Sequence, residues 1–157
     1  MNSSNILYIS YNELNEPVSK SQVVPYISEF VNNGFNVSLL TYEKNFNKEH
    51  IEDQKHEISS KRIDWHVLRY HKTPSLLATA YDVIQGVFLS YRLIKKNNIQ
   101  IVHARSIVSA TICALLSKVL KFKWVYDMRG LFAEEYVGHG NWRQNSIKYK
   151  IVKIMEK

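Results

Sequence analysis

Charged side chains and one imidazole stand at the ends of two short apolar runs in the second half of the sequence. Each run has the composition of a buried strand, and each gives way to the first turn of a helical pattern. A carboxylate, guanidinium groups and an imidazole bind polar or anionic ligands, and the amides of a helix start add further donors. The candidates are His103, Arg105 and Ser106 at the first run, and Asp127, Arg129 and Gly130 at the second.

Each of these residues also has a purely structural explanation. Asp127 could cap the following helix or pair with Arg129, and His103 could bond a loop carbonyl. Arg105 could simply be solvated. No strong motif decides between these possibilities, because the sequence has no glycine-rich phosphate loop, no nucleophile elbow and no Cys/His metal spacing. The case for a site therefore depends on whether the fold brings these residues together.

Strand-like and helix-like patterns alternate along the chain, which predicts an α/β fold. The strand-like segments are 6–10, 36–41, 63–70, 99–104 and 123–128, and the helix-like segments lie near 23–33, 76–97, 106–121 and 145–157. Right-handed crossovers then give a doubly wound, mostly parallel, Rossmann-like sheet with helices on both faces and the strand order 3-2-1-4-5. The length suits a single domain over residues 1–157.

Several local signals refine this pattern. Pro25 places the start of the first regular helix nearby, with an irregular turn before it, and Gly34 is its expected stop. Ser106 is the expected N-cap of the helix at 106–121. The strongly polar stretch 42–62 is predicted to be an exposed, mobile excursion. In the long helix, the larger apolar residues share one broad face: Leu77, Tyr81, Ile84, Phe88, Tyr91 and Ile94.

The strands of a parallel sheet all end at one edge, and ligands bind beyond that edge where the strand order reverses. The first strand delivers Tyr11, Asn12 and Glu13 to this edge, beside the residues named above from the fourth and fifth strands. We therefore predict a ligand cleft at the carboxyl edge of the sheet.

Composition and charge restrict the class of protein. Of the 157 residues, 45% are hydrophobic and 22% charged, which are ordinary values for a globular chain. The formal net charge of +7 favours partners that carry phosphate, or an anionic membrane surface. A nucleic-acid partner is not expected, because the chain has no zinc-finger spacing and no aromatic-and-arginine platform. The single cysteine, Cys113, lies in an apolar run and is expected to be a small buried hydrophobe.

Targeting signals are absent from the sequence pattern. The first ten residues lack the basic and apolar regions of a signal peptide, and no apolar run reaches the roughly 18 residues of a membrane span. We therefore expect a cytoplasmic chain. The segment 145–157 mixes lysines with isoleucines as a basic amphipathic helix. Such a helix either packs on the domain or makes a peripheral contact with anionic lipid.

Three segments of the chain together resemble the amino-terminal domain of family 4 glycosyltransferases. They are ILYISYNELNEPVSKSQVVPYISEFVNNGFNVSLLTYEK, IQIVHARSIVSATICALL and KWVYDMRG. The resemblance implies the GT-B architecture, in which two Rossmann-like domains face each other across a cleft. The amino-terminal domain mostly binds the acceptor, and the other domain holds the nucleotide-sugar. Such enzymes transfer a sugar with retention of anomeric configuration, typically without a metal or other cofactor. Many bacterial members build surface polysaccharides on glycan or lipid-linked acceptors.

Two departures from the family pattern affect the site. Many members carry paired glycines after the first strand, where backbone amides approach the donor diphosphate, whereas this loop reads NELNEPVSKSQ. The side chains of Ser19, Ser21 and Gln22, or of Lys20, are candidates to replace those amides. The second departure is Asp127, which stands where many members have a histidine near the transferred sugar. We take Asp127 as the catalytic candidate, because a carboxylate there could orient a sugar hydroxyl or stabilise developing positive charge.

The resemblance also implies that the chain is one half of an enzyme. The donor-binding half is absent, and the sequence stops where family members continue into a further strand. The chain alone is therefore expected to bind acceptor weakly and to be inactive as a hexosyltransferase. The alternative is a non-catalytic Rossmann-like module that acts through a partner. A receiver domain is disfavoured, because the third strand ends in LRYHK and not in an aspartate.

Overall fold

The molecule is built on a five-stranded, fully parallel sheet with the strand order β3-β2-β1-β4-β5. The computed structural model describes residues 4–73 and 75–128, and beyond these residues 134, 137, 138, 140, 143, 146, 149, 150 and 153. The strands are β1 (Asn5–Ser10), β2 (Asn36–Glu43), β3 (Ile63–Arg69), β4 (Ile101–Arg105) and β5 (Lys123–Asp127). The predicted doubly wound α/β fold and its strand order are confirmed.

Four α-helices connect the strands: α1 (Val24–Asn32), α2 (Lys48–Ser60), α3 (Ser75–Lys96) and α4 (Ile107–Leu116). A π-helical turn, Ser19–Val23, precedes α1, whose second residue is Pro25. The predicted irregular turn before Pro25 is therefore present. Gly34 follows α1 with a φ of +85°, a left-handed conformation that glycine adopts without a Cβ penalty.

The prediction of an exposed excursion over 42–62 is wrong, because this stretch contains the end of β2 and the whole of α2. The side chain of Asn47 caps the helix by accepting a hydrogen bond from the amide of Glu49 at 3.1 Å. Gln54 and Ile58 are buried, and Ile51 packs against the same core. Only two apolar side chains anchor this helix, so its hydrophobic period is too weak to stand out among eleven mostly charged or polar neighbours.

Two cores lie on opposite faces of the sheet. Tyr8, Leu39 and Trp65 belong to the core that α1 and α2 cover. Ile9, Leu40 and Val102 belong to the core that α3 and α4 cover. Adjacent strand residues alternate between the two cores, as the period of a strand requires. Cys113 is fully buried in the second core, where burial raises the pKa of its thiol to about 12, so it is the inert hydrophobe that the sequence predicts.

The packing face of α3 differs from the broad apolar face seen in the sequence. Its buried residues are mostly small or polar, namely Ala78, Asp82, Gly86, Ser90, Leu93 and Ile94. A Cβ on Gly86 would lie 2.1 Å from Tyr42 Oη and 2.5 Å from Ile112 Cδ1, so the helix approaches the sheet and α4 very closely. Of the apolar face, only Ile94 is buried, and the larger residues from Leu77 to Tyr91 are exposed.

Some sequence-based predictions concern residues outside those that the structure describes. Arg129 and Gly130 are among them, as is most of the basic amphipathic segment 145–157. These remain predictions.

Candidate functional site

Pairing between the strands places two of the predicted site residues side by side at the carboxyl edge. Arg105, the last residue of β4, is the direct partner of Asp127, the last residue of β5. Ser10, the last residue of β1, is the partner of Arg105 on the other side. His103 lies two residues before Arg105, so both side chains point to the face that α1 covers. The parallel register alone therefore gathers these groups.

Arg105 is held at both ends of its guanidinium. Nη1 donates to Asp127 Oδ2 at 2.6 Å, and Nη2 donates to the side-chain oxygen of Gln22 in the π-helical turn. The arginine side chain is only 8% exposed, whereas the Asp127 side chain is 31% exposed. A charge-assisted bond to a buried guanidinium is among the stronger hydrogen bonds in proteins. Arg105 thus joins the loop after β1 to the ends of β4 and β5, and solvent reaches both Asp127 and Gln22.

His103 lies against aromatic rings beneath this ion pair. Its ring stacks on Tyr8 at 4.5 Å between centroids and 14° between planes, and Tyr26 and Phe30 approach it edge-on or tilted. Burial lowers the pKa of His103, and the neighbouring Asp127 opposes that effect only in part. Nε2 lies 3.7 Å from Asp127 Oδ2, a charge contact too long for a hydrogen bond. The imidazole is therefore held largely neutral.

Four buried polar atoms near this point have no hydrogen-bond partner within the described part of the chain. They are Tyr8 Oη, Ser10 Oγ, His103 Nε2 and Arg105 Nε. Burial also raises the pKa of Tyr8 to about 12, so its hydroxyl keeps its proton. Unsatisfied buried polar atoms are rare in folded proteins, and their concentration here distinguishes this edge from the rest of the sheet.

Ser106 begins α4 in an unusual backbone conformation, with φ +88° and ψ 161°. This region is adopted almost only by glycine, and a side chain in it costs about 1–3 kcal/mol. The predicted capping role of Ser106 is wrong: it occupies the N-cap position, but its side chain makes no cap hydrogen bond. Its hydroxyl faces Ser109 Oγ at 3.4 Å, and its amide reaches the carbonyl of Asp127 at 3.4 Å. The strained turn thus lies directly beside Asp127.

The remaining predicted residues separate into two groups. Asn12 donates to Glu16, and Glu13 forms an ion pair with Lys44 at 3.2 Å, so these two residues belong to a polar cluster between the ends of β1 and β2. Ser19 and Ser21 both lie in the π-helical turn. Ser19 is buried and Ser21 is exposed, so of these two serines it is Ser21 that lies at the surface. Gln22 is the member of this loop that joins the Arg105–Asp127 pair.

Two buried carboxylates at the same edge were not identified from the sequence. Glu43, fully buried at the end of β2, accepts hydrogen bonds from the amide of Leu14 at 2.8 Å and from Thr41 Oγ1 at 2.7 Å. Burial raises the pKa of Glu43 despite these bonds. Its role is to fix the loop after β1. The sequence signal was weak, since Glu43 opens a charged run that reads as surface.

The second is Asp82, in the interior-facing row of α3. It accepts from Tyr11 Oη at 2.7 Å, from the amide of His71 at 3.1 Å and from His71 Nδ1 at 2.6 Å. Because a carboxylate only accepts, the ring donates a hydrogen bond from its Nδ1–H to Asp82. Burial, and after it the Asp82 carboxylate, raises the pKa of Tyr11. The hydrogen bonds of Asp82 hold the loop after β3 against α3. The half-exposed His71 lies at the same edge of the sheet.

An open depression lies at the opposite, amino-terminal edge of the sheet. It is lined by apolar residues such as Ile99, Leu120 and Phe122, with Lys121 and Lys123 at its rim. None of the predicted site residues lines it. The described part of the chain also contains no group of three His, Cys, Asp or Glu side chains placed to hold a metal ion. None of its helices is long and apolar enough to cross a membrane.

No family model matches the chain, and no curated protein matches its sequence. Solved structures do match its fold. A glycosyltransferase from Rickettsia africae shares 17% sequence identity with a TM-score of 0.55, over 87% of this chain and 34% of that one. Sucrose-phosphate synthase from Thermosynechococcus elongatus shares 13% identity with a TM-score of 0.57, over 96% and 39%. A protein named as a UDP-N-acetylglucosamine 2-epimerase from Listeria monocytogenes shares 13% identity with a TM-score of 0.59, over 99% and 38%.

These likenesses concern the fold alone. The chain has a glycosyltransferase-like, Rossmann-like α/β fold, as the resemblance to an amino-terminal GT-B domain implies. It spans 34% to 39% of the length of the three solved chains. One of the three is named as an epimerase, so the fold by itself does not determine the reaction.

Proposed function

We propose that this chain is the acceptor-side domain of a glycosyltransferase that moves a sugar from a nucleotide-sugar to a glycan or lipid-linked acceptor. The observation that supports this most is the half-exposed carboxylate of Asp127 at the carboxyl edge of the sheet, fixed by a buried arginine. Ligands of doubly wound sheets bind at this edge. The glycosyltransferase-like fold, together with the sequence resemblance to family 4 glycosyltransferases, favours sugar transfer as the reaction.

Asp127 would face the reacting sugar. Because Arg105 holds one of its oxygens, the carboxylate keeps a fixed direction, so it is suited to orient a hydroxyl group or to stabilise positive charge that develops on a sugar ring. Arg105 and Gln22 would act as positioning residues, since their contacts are made to Asp127 and to each other. His103 would support the pair from below as a neutral ring.

The donor would be held by a second domain, as in other GT-B proteins. In this proposal, transfer proceeds with retention of anomeric configuration and without a metal. The groups that stabilise the leaving diphosphate come mainly from the second domain, so the chain alone does not turn over. A role in bacterial surface polysaccharide synthesis, at the inner face of the membrane, fits a lipid-linked acceptor and the net charge of +7.

The test is a screen of the complete protein that contains this chain, with a panel of nucleotide-sugars and of glycan and lipid-linked acceptors. We expect acceptor-dependent release of a nucleoside diphosphate and a product that keeps the anomeric configuration of the donor. Conversion of a nucleotide-sugar without any acceptor would instead place the protein with the epimerases. No reaction with any donor, together with tight binding to another protein, would favour the alternative.

That alternative is a non-catalytic binding module acting through a partner. It is favoured by one observation: Arg105 donates hydrogen bonds to both Asp127 and Gln22, as the centre of a purely structural clamp would. The screen distinguishes the two proposals, because a clamp requires no nucleotide-sugar.

A further inference from the structure

Six large apolar side chains on α3 face solvent in a continuous row. They are Leu76, Leu77, Tyr81, Ile84, Phe88 and Tyr91, with exposed fractions between 42% and 70%. Apart from the first pair, successive members stand three or four residues apart, so they lie on one face of the helix. Single exposed hydrophobic residues are ordinary on a protein surface, but a contiguous row of this kind marks an interaction surface. We refer to it as the α3 row.

The α3 row cannot turn inward to complete the core of this domain. The inward face of α3 is made of small residues such as Ala78, Gly86 and Ser90, and at Gly86 there is no room even for one methyl group. Asp82 also fixes the rotation of the helix, since it bonds Tyr11 and His71 on the inner side. The core formed by the described residues therefore leaves the row uncovered.

The charge around the α3 row has one sign. Residues 83–126 contain seven lysines and arginines and not one aspartate or glutamate. Arg105 is buried in the candidate site, and the other six are exposed: Arg92, Lys95, Lys96, Lys118, Lys121 and Lys123. Arg92 sits in the row itself, with its Cζ 4.1 Å from the centroid of Phe88. Lys95 and Lys121 line one open depression where the ends of α3 and α4 meet. An anionic partner is indicated.

We propose that the α3 row docks the protein onto an anionic lipid surface. The apolar side chains enter the boundary between headgroups and acyl chains, and the lysines at the ends of α3 and α4 contact lipid phosphates. Leucine, isoleucine and aromatic rings beside basic residues are the composition of interfacial helices. A second copy of this chain is a poorer partner, because residues 83–126, which carry these lysines, contain no carboxylate to receive them.

This surface is distinct from the segment 145–157, and docking through it does not require that the chain transfer a sugar. The N-terminal half of α3 carries Asp82, which bonds Tyr11 just after β1, so this half of the helix lies at the same carboxyl edge of the sheet as the candidate site. A docked helix would therefore bring that edge close to the lipid, where a lipid-linked acceptor resides. A failure of lipid binding would leave the glycosyltransferase proposal standing, and a failure of transfer would leave the docking proposal standing.

The experiment is flotation of the purified chain with vesicles of phosphatidylcholine alone and of phosphatidylcholine mixed with phosphatidylglycerol. We expect the chain to float with the anionic vesicles at least about tenfold more than with the neutral ones, and added salt to weaken binding. The double variant Leu77→Ser/Ile84→Ser should reduce flotation about tenfold or more. Lys95→Gln/Lys96→Gln should reduce both the binding and its salt dependence.

Matched controls lie on the other side of the molecule. Phe46→Ser removes an exposed apolar ring before α2, and Lys48→Gln/Lys55→Gln removes two exposed lysines of α2. Both should float like the original chain, and circular dichroism should show every variant folded. The proposal is overturned if the original chain floats with neither vesicle, or if the α3 variants float as well as the controls. It is also overturned if sedimentation velocity shows a dimer that Leu77→Ser/Ile84→Ser dissociates while vesicle binding is absent.

Discussion

At the scale of single residues, the candidate site is an arginine whose two side-chain partners come from two separate elements. The residue types at the ends of β4 and β5 could be read from the sequence, because strand ends in a parallel sheet share an edge. The bond from Arg105 to Gln22 could not, since it depends on the π-helical turn that rotates Gln22 toward the sheet. The Asp82–His71 bond was equally hidden, because the two residues belong to a loop and a helix that each read as ordinary.

The pH dependence of stability should reveal His103. Its pKa is lowered from 6.5 in the folded chain, so below that pH the unfolded chain takes up a proton that the folded chain resists. The free energy of unfolding should therefore fall as the pH is lowered from about 6.5 toward the folded pKa. Urea titrations between neutral and mildly acidic pH measure this. His103→Phe keeps a ring against Tyr8 and should make the decline shallower. The exposed control His56→Gln should leave the decline unchanged. If the original chain and both variants show the same slope of unfolding free energy against pH, His103 is not its cause.

The backbone strain at Ser106 gives a second prediction at this scale. Ser106→Gly removes the side chain from a φ of +88°, so unfolding should require about 1 kcal/mol more despite the greater freedom of glycine in the unfolded chain. Ser117→Gly is the matched control, because φ there is an ordinary −64° and the same change should destabilise by about 0.5–1 kcal/mol. Chemical denaturation compares them. Destabilisation of both variants to the same degree would show that Ser106 is not strained.

At the scale of elements, α2 and α3 show why hydrophobic patterning predicted the sheet better than the helices. The strands lie between two cores, so nearly every residue of β1 and β2 is apolar or buried, and the signal is strong. In α2 the buried face has only two apolar anchors. In α3 the apolar face was correctly located, but the sequence could not show that smaller residues pack inward and leave that face exposed.

The close packing of α3 can be tested at Gly86. Gly86→Ala would normally favour a helix, but here the new methyl group meets Tyr42 Oη and Ile112 Cδ1, so we expect a loss of about 1–3 kcal/mol in unfolding free energy. In a Tyr42→Phe background the nearest clashing atom is gone, so the cost of the alanine should be clearly smaller. Thermal or urea unfolding of the original chain, the two single variants and the double variant measures this difference as a double-mutant cycle. A stabilising Gly86→Ala would mean that α3 packs less closely than the structure indicates.

At the scale of the whole molecule, one group of exposed positive charges and the acidic side chains of α2 lie on different parts of the surface. Exposed cations without acidic neighbours concentrate on α3, on the segment after α4 and at the start of β5, while the carboxylates of α2 lie on the opposite face of the sheet. The strand order, and with it the edge where ligands bind, followed from the alternation of patterns and the handedness of crossovers. Which residues that edge actually joins required coordinates, because Asn12 and Glu13 reach the same edge yet pair with Glu16 and Lys44.

The most direct measurement of the central claim is the transfer rate of Asp127→Asn in the complete protein, with a donor and acceptor pair from the screen. Asparagine can still accept the bond from Arg105, so the fold should persist while the charge is lost. We predict that kcat/KM falls about a hundredfold or more, with less than a tenfold change for Asp64→Asn, a carboxylate whose side chain is 61% exposed on β3. Transfer by a folded Asp127→Asn protein at the original rate would contradict a direct role for this carboxylate.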